Sequence, residues 1–137
     1  YRSKQFLDNR IIKNGNRAIF YEPMEALSGV FYDHINRWFF DYIHDDMDQE
    51  TLNILLDERA KQYENFIAWV YNQGSIHDTK FWKHANKITT EHLTNNLIWE
   101  RTKQHLNKTP YKDDLFKTWP FGKISWDILL KGFNASL

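Results

Sequence analysis

The first 24 residues read differently from the rest of the chain. YRSKQFLDNRIIKNG is polar, with a short Ile11-Ile12 pair. Arg10 to Lys13 predicts a brief strand that ends at the turn pair Asn14-Gly15. Ala18-Ile19-Phe20-Tyr21 is a second short apolar run, stopped by Pro23. From Glu25 the spacing changes. Leu27, Val30, Phe31, Ile35, Trp38, Phe39 and Tyr42 recur three or four residues apart, the apolar face of a long helix. His44-Asp45-Asp46 interrupts it. Asp48 has the position of an N-cap with Glu50 in the following turn, and a second helix carries Leu52, Leu55, Leu56, Tyr63, Phe66, Ile67 and Val70 as far as the stop at Gly74.

Beyond Gly74 the pattern predicts three further helices. Asp78 is expected to cap a short one carrying Phe81, Trp82 and Ala85. A fourth is expected from about Thr90 to Leu106, with Leu93, Leu97 and Ile98 on its apolar side and a loop at Asn107 to Pro110. After a turn at Trp119-Pro120-Phe121-Gly122, Ser125 is expected to cap a last helix that runs through Leu130 and closes at Gly132. The fold class is therefore mainly α, a helical region with a short extended element at the N-terminus.

Composition narrows the function classes. The 137 residues suit one domain with a single core, and 18 basic residues balance 18 acidic ones. No basic stripe is present, so neither a nucleic acid nor a membrane is an expected partner. Cysteine is absent, which removes thiolate chemistry and cysteine-bound zinc and fits a cytoplasmic setting. The six histidines show no ligand spacing, and the acidic stretch His44 to Asp48 lacks the glycine and terminal glutamate of a calcium loop, so no metal is expected. Aromatic residues make up 17% of the chain, with six Trp. Such rings fill a core, line a site, or remain exposed as a surface for homo-oligomerisation.

The stretch Asn14 to Ser28, N-G-N-R-A-I-F-Y-E-P-M-E-A-L-S, holds more than turn signals. Pro23 keeps Glu22 out of the α conformation, and Glu25 falls in the first turn of the coming helix, where an acid complements the helix dipole. The free N–H groups of such a turn also favour an anion. The stretch resembles the flavin-contacting second motif of flavoprotein monooxygenases. More narrowly, it is similar to that of the flavin-dependent halogenases of the tryptophan halogenase family, which reads roughly I-G-D/N-A-A-G-F-I-E-P-L-E-S/A-T-G/S. Further elements follow in the family's order: Tyr63 to Tyr71 (YENFIAWVY) against Y-x-x-I-x-D-F-I-x-x-H-Y, Asp78-Thr79-Lys80-Phe81-Trp82 against a D-x-P/x-F-W element, and Ser125-Trp126-Asp127-Ile128-Leu129-Leu130-Lys131-Gly132 near the end.

The resemblance implies that residues 1–137 are a single C-terminal segment of a halogenase-like protein. Residues 1–29 would supply a flavin- and halide-side turn and helix start, and residues 30–137 the helical region. It implies Glu25 as the catalytic carboxylate, Gly15 and Asn16 as the turn along the cofactor, and the backbone N–H groups of Leu27 and Ser28 as the halide site. Reduced FAD, delivered by a separate flavin reductase, and a halide ion are the implied cofactors, and a small electron-rich aromatic is the implied substrate. Trp119, Phe121 and Trp126 either wall that substrate's pocket or cap the helical bundle. Arg17 and Ile19 stand where the family has Ala and Gly, Met24 and Leu27 where it has Leu and Thr, and Asp127 where tryptophan-specific members tend to have an aromatic. No G-x-G-x-x-G, no W-x-W-x-I-P and no counterpart of the family's essential lysine occur in the sequence, so the FAD-binding domain is absent from this segment and halogenation by it alone is not expected. Two other readings are a non-catalytic helical interaction module and a remote flavoprotein monooxygenase that hydroxylates.

Overall fold

The computed structural model describes residues 1–21, 27–44, 46–75, 77–108 and 123–135. Among them it is mainly helical, with five α-helices and a two-stranded antiparallel sheet near the N-terminus. The chain packs as two compact units, Tyr1–Tyr63 and Glu64–Leu137.

In the first unit, β1 (Leu7–Asp8) pairs with β2 (Ile11–Ile12) in the register Leu7 with Ile12 and Asp8 with Ile11. The intervening Asn9-Arg10 makes the turn, and Asn9 takes the left-handed conformation that asparagine tolerates, at φ 52°. Strands of two residues cannot hold themselves together in water. Their support comes from burial and from one side chain. Phe6 and Leu7 are fully buried, whereas Ile11 is exposed. Asn53, on α2 (Gln49–Gln73), accepts the N–H groups of Phe6 and Leu7 on Oδ1, each at 2.9 Å, and donates Nδ2–H to the Leu7 carbonyl at 2.9 Å. One amide thus satisfies three backbone groups that the short sheet leaves unpaired.

The second apolar run, Ala18 to Tyr21, follows a 3-10 turn at Gly15–Arg17 and lies against the chain start, with Ile19 bridged to Arg2 and the Ser3 N–H donating to the Ala18 carbonyl at 2.8 Å. Ala18, Ile19 and Tyr21 are buried, and the Tyr21 hydroxyl donates to the Ala60 carbonyl at 3.0 Å. Helix α1 (Leu27–Ile43) buries Leu27, Phe31 and Ile35, one per turn. Phe31 meets Phe6 at 5.6 Å and Tyr63 edge-on at 5.8 Å between ring centroids. The predicted apolar face is longer than the buried one. Trp38, Phe39 and Tyr42 are only half-buried, and Val30 is exposed. The fully buried stripe of α1 ends at Ile35, while its apolar residues continue to Ile43 and spread round the helix.

Asp48 caps α2 as its position predicts. Its carboxylate accepts the Thr51 N–H at 2.6 Å, which holds it below the usual carboxylate range. At the other end Gly74 follows the last helical residue in the left-handed region, φ 81°. The second unit is built on a ring cluster. Trp126 of α5 (Lys123–Phe133) touches Phe66 and Trp69 of α2 at 5.1 and 5.0 Å, and Trp99 of α4 (Leu97–Lys108) at 6.0 Å.

Four sequence expectations are corrected here. The predicted helix from Thr90 to Leu106 is two helices. Helix α3 (Lys80–Leu93) ends at Thr94, Asn95 turns with φ 58°, and Asn96 caps α4 by accepting the Trp99 N–H at 3.0 Å. Apolar spacing alone could not separate them, because Leu93, Leu97 and Ile98 stay in step across the break. The cap of α3 is Thr79, whose hydroxyl accepts the Trp82 N–H at 3.4 Å, while Asp78 pairs with Lys83 at 3.1 Å instead. Asn107 and Lys108 continue α4 rather than opening a loop. Ser125 and Gly132 lie inside α5, which stops at Asn134. There Ala135 N–H reaches the Leu130 carbonyl, Asn134 N–H reaches that of Lys131, and Asn134 is left-handed at φ 52°, a Schellman end built on Asn instead of Gly.

Replacing Asn53 with Ala is expected to lower the unfolding free energy by about 2–3 kcal/mol, since it strands the Phe6 and Leu7 N–H groups in a partly buried position; the Leu7 carbonyl keeps the Gln5 amide at 3.0 Å. Asn53→Asp keeps the acceptor and is expected to lose less. Urea midpoints of the two variants check this, and equal losses would show that the amide geometry is immaterial.

Candidate functional site

The turn that the sequence singles out is well defined. Asn14 is extended (φ −134°, ψ 170°), and its Oδ1 accepts the Gly15 N–H at 2.7 Å. Gly15 is left-handed at φ 57°, and its carbonyl receives the Ala18 N–H at 2.9 Å and the Ile19 N–H at 3.3 Å. Nothing lies within 4 Å of where a Cβ on Gly15 would point, so the backbone conformation is what asks for glycine, and the face beside it is open.

Two side chains of α1 fasten this turn to the helix. The Asn14 amide donates to Asn36 Oδ1 at 2.8 Å, and the Tyr32 hydroxyl lies 2.9 Å from Asn16 Oδ1 and 3.2 Å from the Ile19 carbonyl. Tyr32 and Asn36 are four residues apart and so share one helix face. The sequence names neither as a site residue; their spacing was the available signal, but it acquires meaning only with the turn beside it.

Of the candidates carried by the resemblance, Gly15 and Asn16 thus sit in one turn tied to α1. Leu27 and Ser28 are the first residues of α1 described, with the Leu27 side chain fully buried and that of Ser28 half-buried. Ile19, where the family has Gly, is fully buried and turned into the core, while Arg17 is exposed. Glu25, Trp119 and Phe121 lie outside the described residues. Trp126 is buried to 3% exposure inside the ring cluster of the second unit. The Gly15 turn is held against α1 at Tyr32 and Asn36, beyond Leu27 and Ser28 along the helix, and is open on the face beside Gly15.

Farther along α1 the electrostatics are set by a stacked trio. His34 stacks on Trp38 at 5.3 Å, and the Arg59 guanidinium lies 5.5 Å over the same indole. Burial, then the neighbouring Arg59 charge, pushes His34 down from 6.5 to about 4, against the opposing pull of Asp33. Burial likewise lowers Arg59 and raises the Tyr63 phenol. His34 is thus neutral at physiological pH and serves as a packing ring.

The second unit has a groove of about 430 Å³ with Trp69, Leu93 and Trp99 among its walls and Asn72, Asn95 and Lys103 among its polar residues. Lys103 is occupied there by Glu100 at 2.7 Å and lies 6.0 Å from the Trp99 ring. Among the described residues no group of three or more His, Cys, Asp or Glu could hold a metal ion, and no helix is long and apolar enough to cross a membrane.

No protein-family model matches the chain, and no match is found among curated proteins or among solved structures.

Because His34 has a lower pKa folded than unfolded, protonation favours the unfolded chain. Its contribution is complete above 6.5 and is lost as the pH falls toward about 4. His34→Gln is expected to flatten the fall of the urea midpoint across that interval relative to the parent. Parallel midpoint curves for the two proteins would show that His34 is not the titrating group.

Proposed function

We propose that this chain is the helical C-terminal part of a flavin-dependent halogenase-like oxidoreductase acting on an electron-rich aromatic in the cytoplasm. The observation that carries the reading is the order of motifs, from Asn14–Ser28 through Tyr63–Tyr71 and Asp78–Trp82 to Ser125–Gly132. It is supported by the turn at Gly15-Asn16, which is tied to α1 and open on the face beside Gly15, and by the burial of Ile19, which turns that departure away from solvent, while Arg17 stays exposed.

Reduced flavin and oxygen would supply the oxidising equivalents that convert halide to hypohalous acid. The part played by this chain is narrower. Gly15 and Asn16 would lie along the cofactor, the N–H groups of Leu27 and Ser28 would hold the halide at the positive end of α1, and Glu25 would stabilise the positive charge that develops on the substrate ring as it is attacked. The essential lysine and the dinucleotide loop required for turnover would come from elsewhere in the polypeptide, because this sequence has a counterpart of neither.

The reading as a helical interaction module has one observation in its favour. Phe40, Ile43 and Ile11 of the first unit are 59%, 55% and 72% exposed, apolar side chains that a partner would cover. The hydroxylase reading differs from the halogenase one in needing neither the halide nor the Glu25 carboxylate.

In a polypeptide joining this chain to a flavin-binding region and supplied with a flavin reductase, Glu25→Gln is expected to reduce halide-dependent product by roughly 100-fold, the usual scale for removing one preorganised electrostatic group. Chloride and bromide incorporation by mass spectrometry is the readout. Undiminished halogenation would overturn the role of Glu25, and hydroxylated product without halide incorporation would favour the monooxygenase.

A further inference from the structure

We propose that the C-terminal end of α1 and the β1–β2 turn form a second site, separate from the one above, that binds small planar aromatic carboxylates. A cavity of about 400 Å³ lies there, lined by Arg10, Phe39, Tyr42 and Ile43. That volume is at the lower end of the range for small-molecule sites, roughly 300–1,000 Å³, and suits a ligand of one or two fused rings.

Three features select the ligand class. Phe39 and Tyr42 are stacked with centroids 6.0 Å apart and planes at 22°, and both are only half-buried, so ring surface is left for a further aromatic. Ile43 is 55% exposed and closes the apolar wall. Arg10 brings the single charge among the four lining residues. It is exposed on the two-residue turn, and among the described residues no carboxylate pairs with it, whereas Arg2 is paired with Asp57 and Arg37 with Asp33. A guanidinium presents a planar fork that a carboxylate meets with two parallel hydrogen bonds, and apolar walls raise the strength of such a pair. A cation would be repelled by Arg10, and a neutral aromatic would leave the fork without a partner.

The turn is also held in place before any ligand arrives. Its flanking strands are in register, Asn9 is left-handed, and Asn53 holds the backbone of Phe6 and Leu7. Arg10 therefore starts from a fixed backbone and loses only side-chain freedom on binding. This site rests on the geometry of the first unit alone and stands whether or not the chain belongs with a flavin domain.

The test is a titration of the whole chain with indole-3-acetate, followed by backbone amide NMR. Indole-3-acetamide and acetate serve as the uncharged and ring-free controls. Shifts centred on Arg10, Phe39, Tyr42 and Ile43 are expected, with indole-3-acetamide and the exposed-site variant Arg10→Gln each binding at least ~10-fold more weakly, the scale of a charge-assisted hydrogen bond. Arg10→Lys, which keeps the charge without the fork, is expected to fall between. Lys103→Gln, in the groove of the second unit, is expected to bind as the parent does. Absence of shifts at the four residues overturns the proposal. So do shifts centred on the Trp69–Trp99 groove, or equal affinity of parent and Arg10→Gln.

Discussion

The amide of Asn53 is the contact on which the first unit turns. A hairpin with two residues per strand has too few cross-strand bonds to choose its own position. The buried pair Phe6-Leu7 draws it to the core by area, which is non-directional. Direction comes from Asn53, because an amide that accepts two N–H groups and returns one of its own can be satisfied in only one placement of that backbone. Once β1 is placed, pairing places β2, and the chain leaves β2 toward the Gly15 turn. That turn is then close enough to α1 for Tyr32 and Asn36 to reach it. Both candidate sites of this unit, the Gly15 turn and the cup beside Arg10, therefore inherit their geometry from one side chain of α2.

Much of the architecture was legible in the sequence where local chemistry acts alone. Asp48 directly precedes the helix it caps, Gly74 directly follows it, and both perform as their residue types predict. The misreadings fall where two residues compete or where a pattern has no punctuation of its own. Asp78 and Thr79 are both good caps, and only the backbone of α3 decides that Thr79 is used. Leu93 to Ile98 keeps helical spacing through a break whose sole signal is Asn95-Asn96, and α5 closes on Asn134 where Gly132 looked the better stop. The site is legible in a similar proportion. Gly15 announces a left-handed turn by being glycine, but Tyr32 and Asn36 are ordinary helix residues until tertiary contact gives them a partner, and Arg10 is an ordinary exposed arginine until Phe39 and Tyr42 stand beside it.

The aromatic content, which invites a reading as site residues, is largely accounted for by packing. Trp69, Trp99 and Trp126 share one ring cluster, Trp38 packs with His34 and Arg59, and Trp82 meets Tyr71 and Phe81. A unit with helices as short as α4 and α5 gains more buried area per residue from indoles than from leucines. Buried indole bears on substrate recognition only where part of a ring remains accessible. By that criterion Phe39 and Tyr42 are stronger candidates than Trp126.

The two ends of α1 are suited to different work. At 17 residues the helix is roughly 25 Å long, so a ligand at one end does not share a site with a ligand at the other. The N-terminal end of a helix carries partial positive charge, which favours an anion. Its C-terminal end carries partial negative charge, which opposes an anion. A carboxylate in the cup formed by Phe39, Tyr42 and Ile43 would be disfavoured by the helix itself, and α1 offers no cation among the residues that line that cup. The charge has to come from another element. The β1–β2 turn provides it as Arg10, a full charge set against a partial one. The helix polarity that would favour a bound anion at the N-terminal end of α1 makes Arg10 the charge on which the other end depends.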